Sequence, residues 1–334
     1  MLRRFYGSIS RRSYGFGDTM MMTPTGNVEN RRDEAYLAHS YYSGCQCMDR
    51  KQSDVGRRDG RDTQWTPPDI SKVGEDPFGE LVRYGHELFT DTPNEIGPEV
   101  ADAAKRFAGN NLACQNCHLK AGTQPYAMPM TGVWGQFPQY RGREGTVDVL
   151  EERINGCMER SMNGRALPLE SREMKAFSSF MRWLSKGIPD GAKLRGAGTL
   201  QIKEPDRAAN RARGADVYAQ VCAACHGADG SGQRAENGLG YQFPPLWGRD
   251  SYNNGAGMSR LLTAAAYALH NMPLGTSFDS PLLMDEQAYD VAGYIVSQNR
   301  PEKANLDKDF PIRLQKTDRY SIRPLCGRIF RRAA

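Results

Sequence analysis

Apolar and polar positions divide the chain into a patternless start and two similar passes. Residues 1–75 are polar, rich in Gly, Arg and Asp, and show no helical periodicity. Such a stretch has too little apolar surface to bury and is expected to be disordered. From Asp76 the pattern changes to apolar stripes at helical spacing. In the first pass Phe78, Leu81, Val82 and Phe89 fall on one face with Gly85 beside them, and Met174, Phe177, Met181 and Leu184 form a later stripe. In the second pass Ala212, Val217 and Tyr218 fall together with Gly214, and Ala288, Val291, Tyr294 and Ile295 form the later stripe. A glycine inside a helix costs about 1 kcal/mol relative to alanine. Its recurrence at the same place therefore predicts that another helix crosses closely at Gly85 and at Gly214.

The connections repeat as well. Each pass carries a Pro/Gly-rich loop leading to a Trp-Gly pair, Trp134-Gly135 and Trp247-Gly248. The chain thus reads as a duplicated unit. The copies are divided by a polar linker within 187–207 that holds Pro189, Gly191, Gly196, Gly198 and Pro205. The expected division is an N-terminal extension at 1–75, a first domain at 76–190, a linker at 191–206, a second domain at 207–302 and a basic tail at 303–334.

Chemistry enters at the start of each loop. The first pass reads Cys114-Gln115-Asn116-Cys117-His118 and the second Cys222-Ala223-Ala224-Cys225-His226. Two cysteines three apart with a histidine directly after form the attachment sequence of a c-type haem. One helical turn brings both thiols beneath the porphyrin vinyl groups, and the adjacent imidazole reaches the iron. A zinc site would need paired knuckles at short range, but Cys117 and Cys222 lie about a hundred residues apart. A thioredoxin-like pair would need a neighbouring strand pattern, which is missing. The fold class expected is all-α: two tandem cytochrome c-type domains, each wrapped around one covalent haem c that fills much of a small core. Cys114, Cys117, Cys222 and Cys225 would hold the porphyrins, with His118 and His226 on the irons.

The second axial ligand sets the redox role of such a haem. In the second domain Met272 lies 25 residues after Trp247 and 14 before Glu286. A thioether there would raise the potential, with nearby His270 as the alternative ligand. At the matching place the first domain has Cys157, 23 residues after Trp134 and 16 before Glu173. Both segments are expected to be loops ahead of the closing helix. A thiolate ligand would lower the potential, and Arg153 or Arg160 would stabilise it. Met162, and Met158 one place away, are the rivals of Cys157, which could also be a buried spectator thiol. Ligand type alone thus suggests a low-potential reaction centre in the first domain and an onward relay in the second.

Arginine is dense around the first site: Arg141, Arg143, Arg153 and Arg160. Guanidinium groups offer planar paired donors that suit oxyanions. Simple solvation would explain Arg141 and Arg160 equally well. One charge pair at about 4 Å contributes roughly 4 kcal/mol at an effective dielectric near 20, before desolvation. Two or three could bring mutually repelling dianions together, which points to a small, doubly negative, sulfur-containing substrate.

Overall composition adds less. The 334 residues are 25% charged and 39% hydrophobic, as in a globular protein, and no apolar run is long enough to span a bilayer. The net charge of +5 equals the excess of nine Lys/Arg over four acids within 301–334, so nothing argues for nucleic acid. Haem c is attached outside the bacterial cytoplasmic membrane, so a periplasmic location is expected. Arg11-Arg12-Ser13-Tyr14-Gly15-Phe16 is faintly similar to a twin-arginine export signal, although no apolar core follows it. Cys45, Cys47 and Cys326 receive no role.

Three segments carry a family resemblance. Gly109-Asn110-Asn111-Leu112-Ala113-Cys114-Gln115-Asn116-Cys117-His118-Leu119, Tyr140-Arg141-Gly142-Arg143 and the run 153–164 around Cys157 resemble the dihaem thiosulfate dehydrogenases, and Met272-Pro273-Leu274-Gly275 also fits. The resemblance covers about 76–310. It implies an enzyme that joins two thiosulfates into tetrathionate and releases two electrons, or runs in reverse as a tetrathionate reductase. It also implies that His118 and Cys157 ligate the active-site haem, that Arg143, Arg153 and Ser161 line the substrate pocket, and that His226 and Met272 ligate the exit haem. An external acceptor such as a small cytochrome c would take the electrons. In some relatives a lysine precedes the methionine and competes for the iron; here Asn271 stands there. From about Thr317, and at the N-terminus, the chain departs from the family pattern. The readings from other classes are a purely electron-transferring dihaem cytochrome and a Sox-type sulfur-oxidation cytochrome subunit.

Overall fold

Two glycine-mediated helix crossings organise the protein. In the computed structural model, which describes residues 66–312 apart from 193, 237 and 238, the first apolar stripe forms α1 (Pro77–Thr90). Its start is dictated locally: the Asp76 carboxylate accepts from the Gly79 N–H at 2.7 Å, and Pro77 occupies the first turn, where its missing N–H costs nothing. The chain then passes the first attachment motif and reaches a hairpin of β1 (Gln139–Arg141) and β2 (Thr146–Asp148). Two helices follow, α2 (Leu150–Arg160) and α3 (Arg172–Leu184). The second pass repeats the plan. It has α4 (Arg211–Val217), a wider helical turn at Tyr218–Cys222, the hairpin of β3 (Gln233–Arg234) and β4 (Tyr241–Phe243), then α5 (Leu261–Asn271) and α6 (Asp285–Val296).

Where α1 meets α3, a Cβ on Gly85 would overlap the carbonyl oxygen of Ala176; where α4 meets α6, a Cβ on Gly214 would overlap that of Asp290. The same residue type makes the same close approach in both halves. Around the first crossing Val82, Leu88, Phe89, Phe177, Phe180 and Leu184 are fully buried. Each such side chain contributes about 1.5–3 kcal/mol relative to exposure. The stripes shift at their edges. Phe78 is 42% exposed under Arg182 rather than in the core, and Ala212 is exposed, because both lie in first turns ahead of the crossing.

Two local expectations are corrected. The segment around Cys157 is a helix, α2, and not a loop, because Leu150, Ile154 and Met158 recur every fourth residue and bury one face. His270 and Asn271 end α5, and Met272 is the residue that caps it. The mainly helical architecture of two cytochrome c-type domains holds, with short two-stranded hairpins added.

The second half closes onto the first. Tyr252 and Ala256 join the first half's core. The Asn110 amide donates to Ser161 O at 2.9 Å and Ser251 O at 3.2 Å, and Asn253 Nδ2 donates to Glu159 O at 2.8 Å. Residues 303–310, the start of the basic tail, return to the first half, where the Phe310 N–H donates to Arg143 O at 2.7 Å. The disorder expected at 1–75 falls mostly outside the described residues. So do the twin-arginine-like segment, Cys45, Cys47 and Cys326. No helix among the described residues is long and apolar enough to cross a membrane.

Candidate haem sites and catalytic centre

The second attachment motif opens onto an apolar cavity of about 440 Å³, within the roughly 300–1,000 Å³ typical of cofactor sites. Cys222, Cys225, His226 and Met272 all line it, among Val221, Leu246, Val291 and Ile295. His226 is held by Nδ1 against the Pro244 carbonyl at 2.8 Å, which leaves Nε2 for a metal. Burial pushes this ring's pKa down, outweighing the Pro244 hydrogen bond, so the ring is neutral and fit to ligate. Two thiols, an imidazole and a thioether around an apolar slot suit a covalent haem. His270 does not line the cavity; both its ring nitrogens are buried without a hydrogen-bond partner.

The first half supplies part of this wall. Cys117, Leu119 and Lys120 line the same cavity, and the Tyr267 hydroxyl on α5 donates to the Cys117 carbonyl at 2.9 Å. Asn271 faces the first half as well: its Oδ1 accepts from Gln124 Nε2 at 3.1 Å and its Nδ2 donates to Tyr126 O at 3.2 Å. Residues of the first haem-binding motif therefore form part of the wall of the second site.

In the first half His118 Nδ1 lies 2.6 Å from the Met128 carbonyl. Met128 has φ 52°, so this carbonyl is aimed by a left-handed turn, and Nε2 is the ring nitrogen left to face Cys157. Cys157 projects from α2. Arg153, one turn upstream on the same face, donates from Nη1 to Cys157 Sγ at 2.9 Å. Burial would raise the Cys157 pKa, but the Arg153 charge, a hydrogen bond from the His118 ring and that ring's charge outweigh it and bring the thiol down to about 6. The attachment thiols behave oppositely. Burial, with the nearby Cys157 charge adding to it, pushes Cys114 up to about 12 and Cys117 to about 11. One sulfur of the three is thus held as a thiolate at neutral pH, and it is the one facing His118. A histidine, a thiolate and two attachment thiols within mutual reach suit a haem with one sulfur ligand. The rival sulfurs Met158 and Met162 are 1% and 3% exposed and belong to the hydrophobic core.

The other predicted site residues surround α2. Ser161 caps its C-terminus, half-buried. Arg141 ends β1. Arg143, in the hairpin turn, donates from Nη1 to Gly255 O at 3.1 Å. Arg160 is 8% exposed, so solvation does not account for it. It makes a two-pronged contact with Asp309, Nη1–Oδ2 at 2.7 Å and Nη2–Oδ1 at 2.8 Å, and lies 3.7 Å from Glu144. Sequence reasoning missed Asp309, Glu144, Gly255 and Tyr267. Asp309 sits 149 residues beyond Arg160, and no local pattern links the two.

Residues 104–189 match the family model described as SoxA/TsdA, cytochrome c domain, and 211–299 match the model described as Cytochrome c. The thiosulfate dehydrogenase of Allochromatium vinosum is 44% identical over 243 residues, 71% of this chain and 84% of that protein. That of Thiomonas intermedia is 39% identical over 251 residues, 75% of this chain and 76% of that protein. Among solved structures, the as-isolated TsdBA thiosulfate dehydrogenase of Marichromatium purpuratum aligns with TM-score 0.65 and 38% identity. That alignment covers 72% of this chain and half of that longer one. With its two cytochrome c domains, each binding a covalent haem c, the chain belongs to the thiosulfate dehydrogenase family.

Proposed function

We propose that this protein oxidises two thiosulfates to tetrathionate at the first haem site and passes the two electrons through the second to an external acceptor such as a small cytochrome c. The reaction runs in the periplasm and is reversible. His118 and Cys157 are the ligands of the first haem, His226 and Met272 those of the second, and Cys114, Cys117, Cys222 and Cys225 attach them. The bound haems supply one-electron acceptor chemistry, the thiolate-ligated one at the lower potential.

The contact between Arg153 and Cys157 carries this reading. A purely electron-relaying cytochrome has no use for a thiolate held by a guanidinium beside its haem. Arg143, Arg153 and Ser161 bind and orient the sulfonate oxygens of thiosulfate; planar donors fit three equivalent oxygens and offset the repulsion between two dianions. The thiolate of Cys157 would form an S–S bond to the outer sulfur of one thiosulfate, leaving an S-thiosulfonate on the protein and giving up two electrons, one for each of the two haems that the attachment motifs would hold. A second thiosulfate attacks that outer sulfur, tetrathionate departs and the thiolate returns. No proton is consumed or released, so the site needs charge and orientation rather than an acid or base.

The test is an assay of protein with both haems attached, using free thiosulfate and an artificial electron acceptor, and tetrathionate with an artificial donor for the reverse. Turnover in the first with stoichiometric tetrathionate supports the reading. Absence of both leaves an electron carrier.

A further inference from the structure

A carboxylate from the far end of the chain sits between two arginines of the first haem site. After Pro301 the backbone turns back, with the Lys303 N–H donating to Asn254 Oδ1 at 2.9 Å. It runs to Phe310, which is buried and bonded through its N–H to Arg143 O. This puts Asp309 against both guanidinium groups. Its two oxygens meet Arg160 at 2.7 and 2.8 Å, while Arg143 Nε lies 4.0 Å away. Gly255 O, from the second half, accepts from both arginines, at 3.1 Å and 3.4 Å. The side chains are poorly exposed: 10% for Arg160, 13% for Asp309 and 15% for Arg143.

The two arginines are therefore treated unequally. A two-pronged carboxylate contact uses up one planar edge of a guanidinium and its charge. Arg160 is in that state, although it lies one turn beyond Cys157 on α2 and could otherwise present its charge to the site. Arg143 receives only a carbonyl and the distant edge of a carboxylate, and its remaining donors and most of its charge stay uncommitted. Without Asp309, two guanidinium groups would share one carbonyl oxygen in a poorly solvated place.

We propose that Asp309 is a positioning residue that assigns these arginines different tasks: it neutralises Arg160 and thereby holds Arg143 as the dianion-binding arginine of the first domain. This rests on the thiosulfate reading above and adds that the binding site of the first domain is completed by a segment following the second.

The test uses full-length protein with both haems: Asp309→Asn, Asp309→Glu, Arg160→Gln and the double variant Asp309→Asn/Arg160→Gln, each followed by KM and kcat for thiosulfate. Losing Asp309 leaves Arg160 with only the looser Glu144 contact at 3.7 Å and its charge turned toward Arg143; losing Arg160 hands the Asp309 carboxylate to Arg143. Each of these single changes should raise KM about tenfold, roughly one charge-assisted hydrogen bond, with kcat within about twofold. The double variant should recover to within about threefold of the unchanged protein, since the Asp309 and Arg160 charges leave together and Glu144, a third exposed, keeps access to solvent. Asp309→Glu, which keeps the charge, should also stay within about threefold. Additive losses in the double variant, or an unchanged KM in Arg160→Gln, would overturn the proposal. The latter holds even if Asp309→Asn fails to accumulate. Absence of thiosulfate oxidation in the unchanged protein would sink the reaction assignment; normal KM values in variants of an active protein would sink the role of Asp309 alone.

Discussion

Arg153 and Cys157 lie one turn apart on the same face of α2, and the guanidinium donates to the sulfur at 2.9 Å. The helix fixes this pair by its own geometry, since side chains at i and i+4 are neighbours whatever surrounds them. The surroundings add a hydrogen bond from the His118 ring to the same sulfur.

The pair has a pH signature. Against the effect of burial, the Arg153 charge and the His118 ring hold the metal-free Cys157 thiol down to about 6, so the thiolate fraction grows with pH. Arg153→Gln removes the largest stabilising charge, so an inflection in kcat/KM that reports this thiolate should move upward. At neutral pH this should lower kcat/KM by about tenfold or more. A pH–rate profile of the two proteins checks it, and an unmoved inflection would contradict the assignment of the charge.

Met272 and His270 should behave oppositely. Met272 lines the second cavity and His270 does not. Met272→Ala should lower the potential of the second haem and abolish the long-wavelength absorption of a methionine–ferric iron bond. His270→Leu should leave both unchanged. Because neither ring nitrogen of His270 has a partner among the described residues, that replacement forfeits no hydrogen bond to them and should be neutral or stabilising by about 1 kcal/mol. Redox titration with visible spectroscopy, plus denaturant unfolding, separates the two residues.

Gly85→Ala and Gly214→Ala should each destabilise their half by about 1–3 kcal/mol, as for overpacking elsewhere. The new methyl group meets a backbone carbonyl, of Ala176 or of Asp290, and neither can rotate away. Equilibrium unfolding measures the loss.

Asp290 controls acid stability in the second half. Burial would raise its pKa, but hydrogen bonds from Arg207, the Asn210 N–H and Arg213 outweigh that and hold it below the ordinary carboxylate value. A depressed folded-state pKa contributes stability that is complete above the unfolded value near 3.9 and is lost as pH falls through the folded one. Asp290→Asn should therefore cost about 3 kcal/mol at neutral pH and flatten the loss below about pH 4. Melting temperature against pH, for both proteins, is the measurement.

What could be seen in advance was whatever lies close along the chain. The attachment motifs are contiguous, and Gly85 and Gly214 stood out because a glycine is costly within an apolar stripe. The fourfold spacing of Leu150, Ile154 and Met158 was equally local. The polar residues and two glycines around it, Gly156 and Gly164, masked the helix that carries Cys157. Asp309 was beyond reach for a different reason. Its meaning comes from Arg160 and Arg143, which only the folded return of the chain brings to it. Tyr267, bonded from the second half to Cys117 in the first, belongs to the same class.

The most direct measurement is thiosulfate oxidation by Cys157→Gly, in protein whose two haems are verified by mass and by the pyridine haemochrome spectrum. The account predicts full haem content with no tetrathionate formed. Normal turnover in that variant would contradict it, because the sulfur at the centre of the site would then have no part in the reaction.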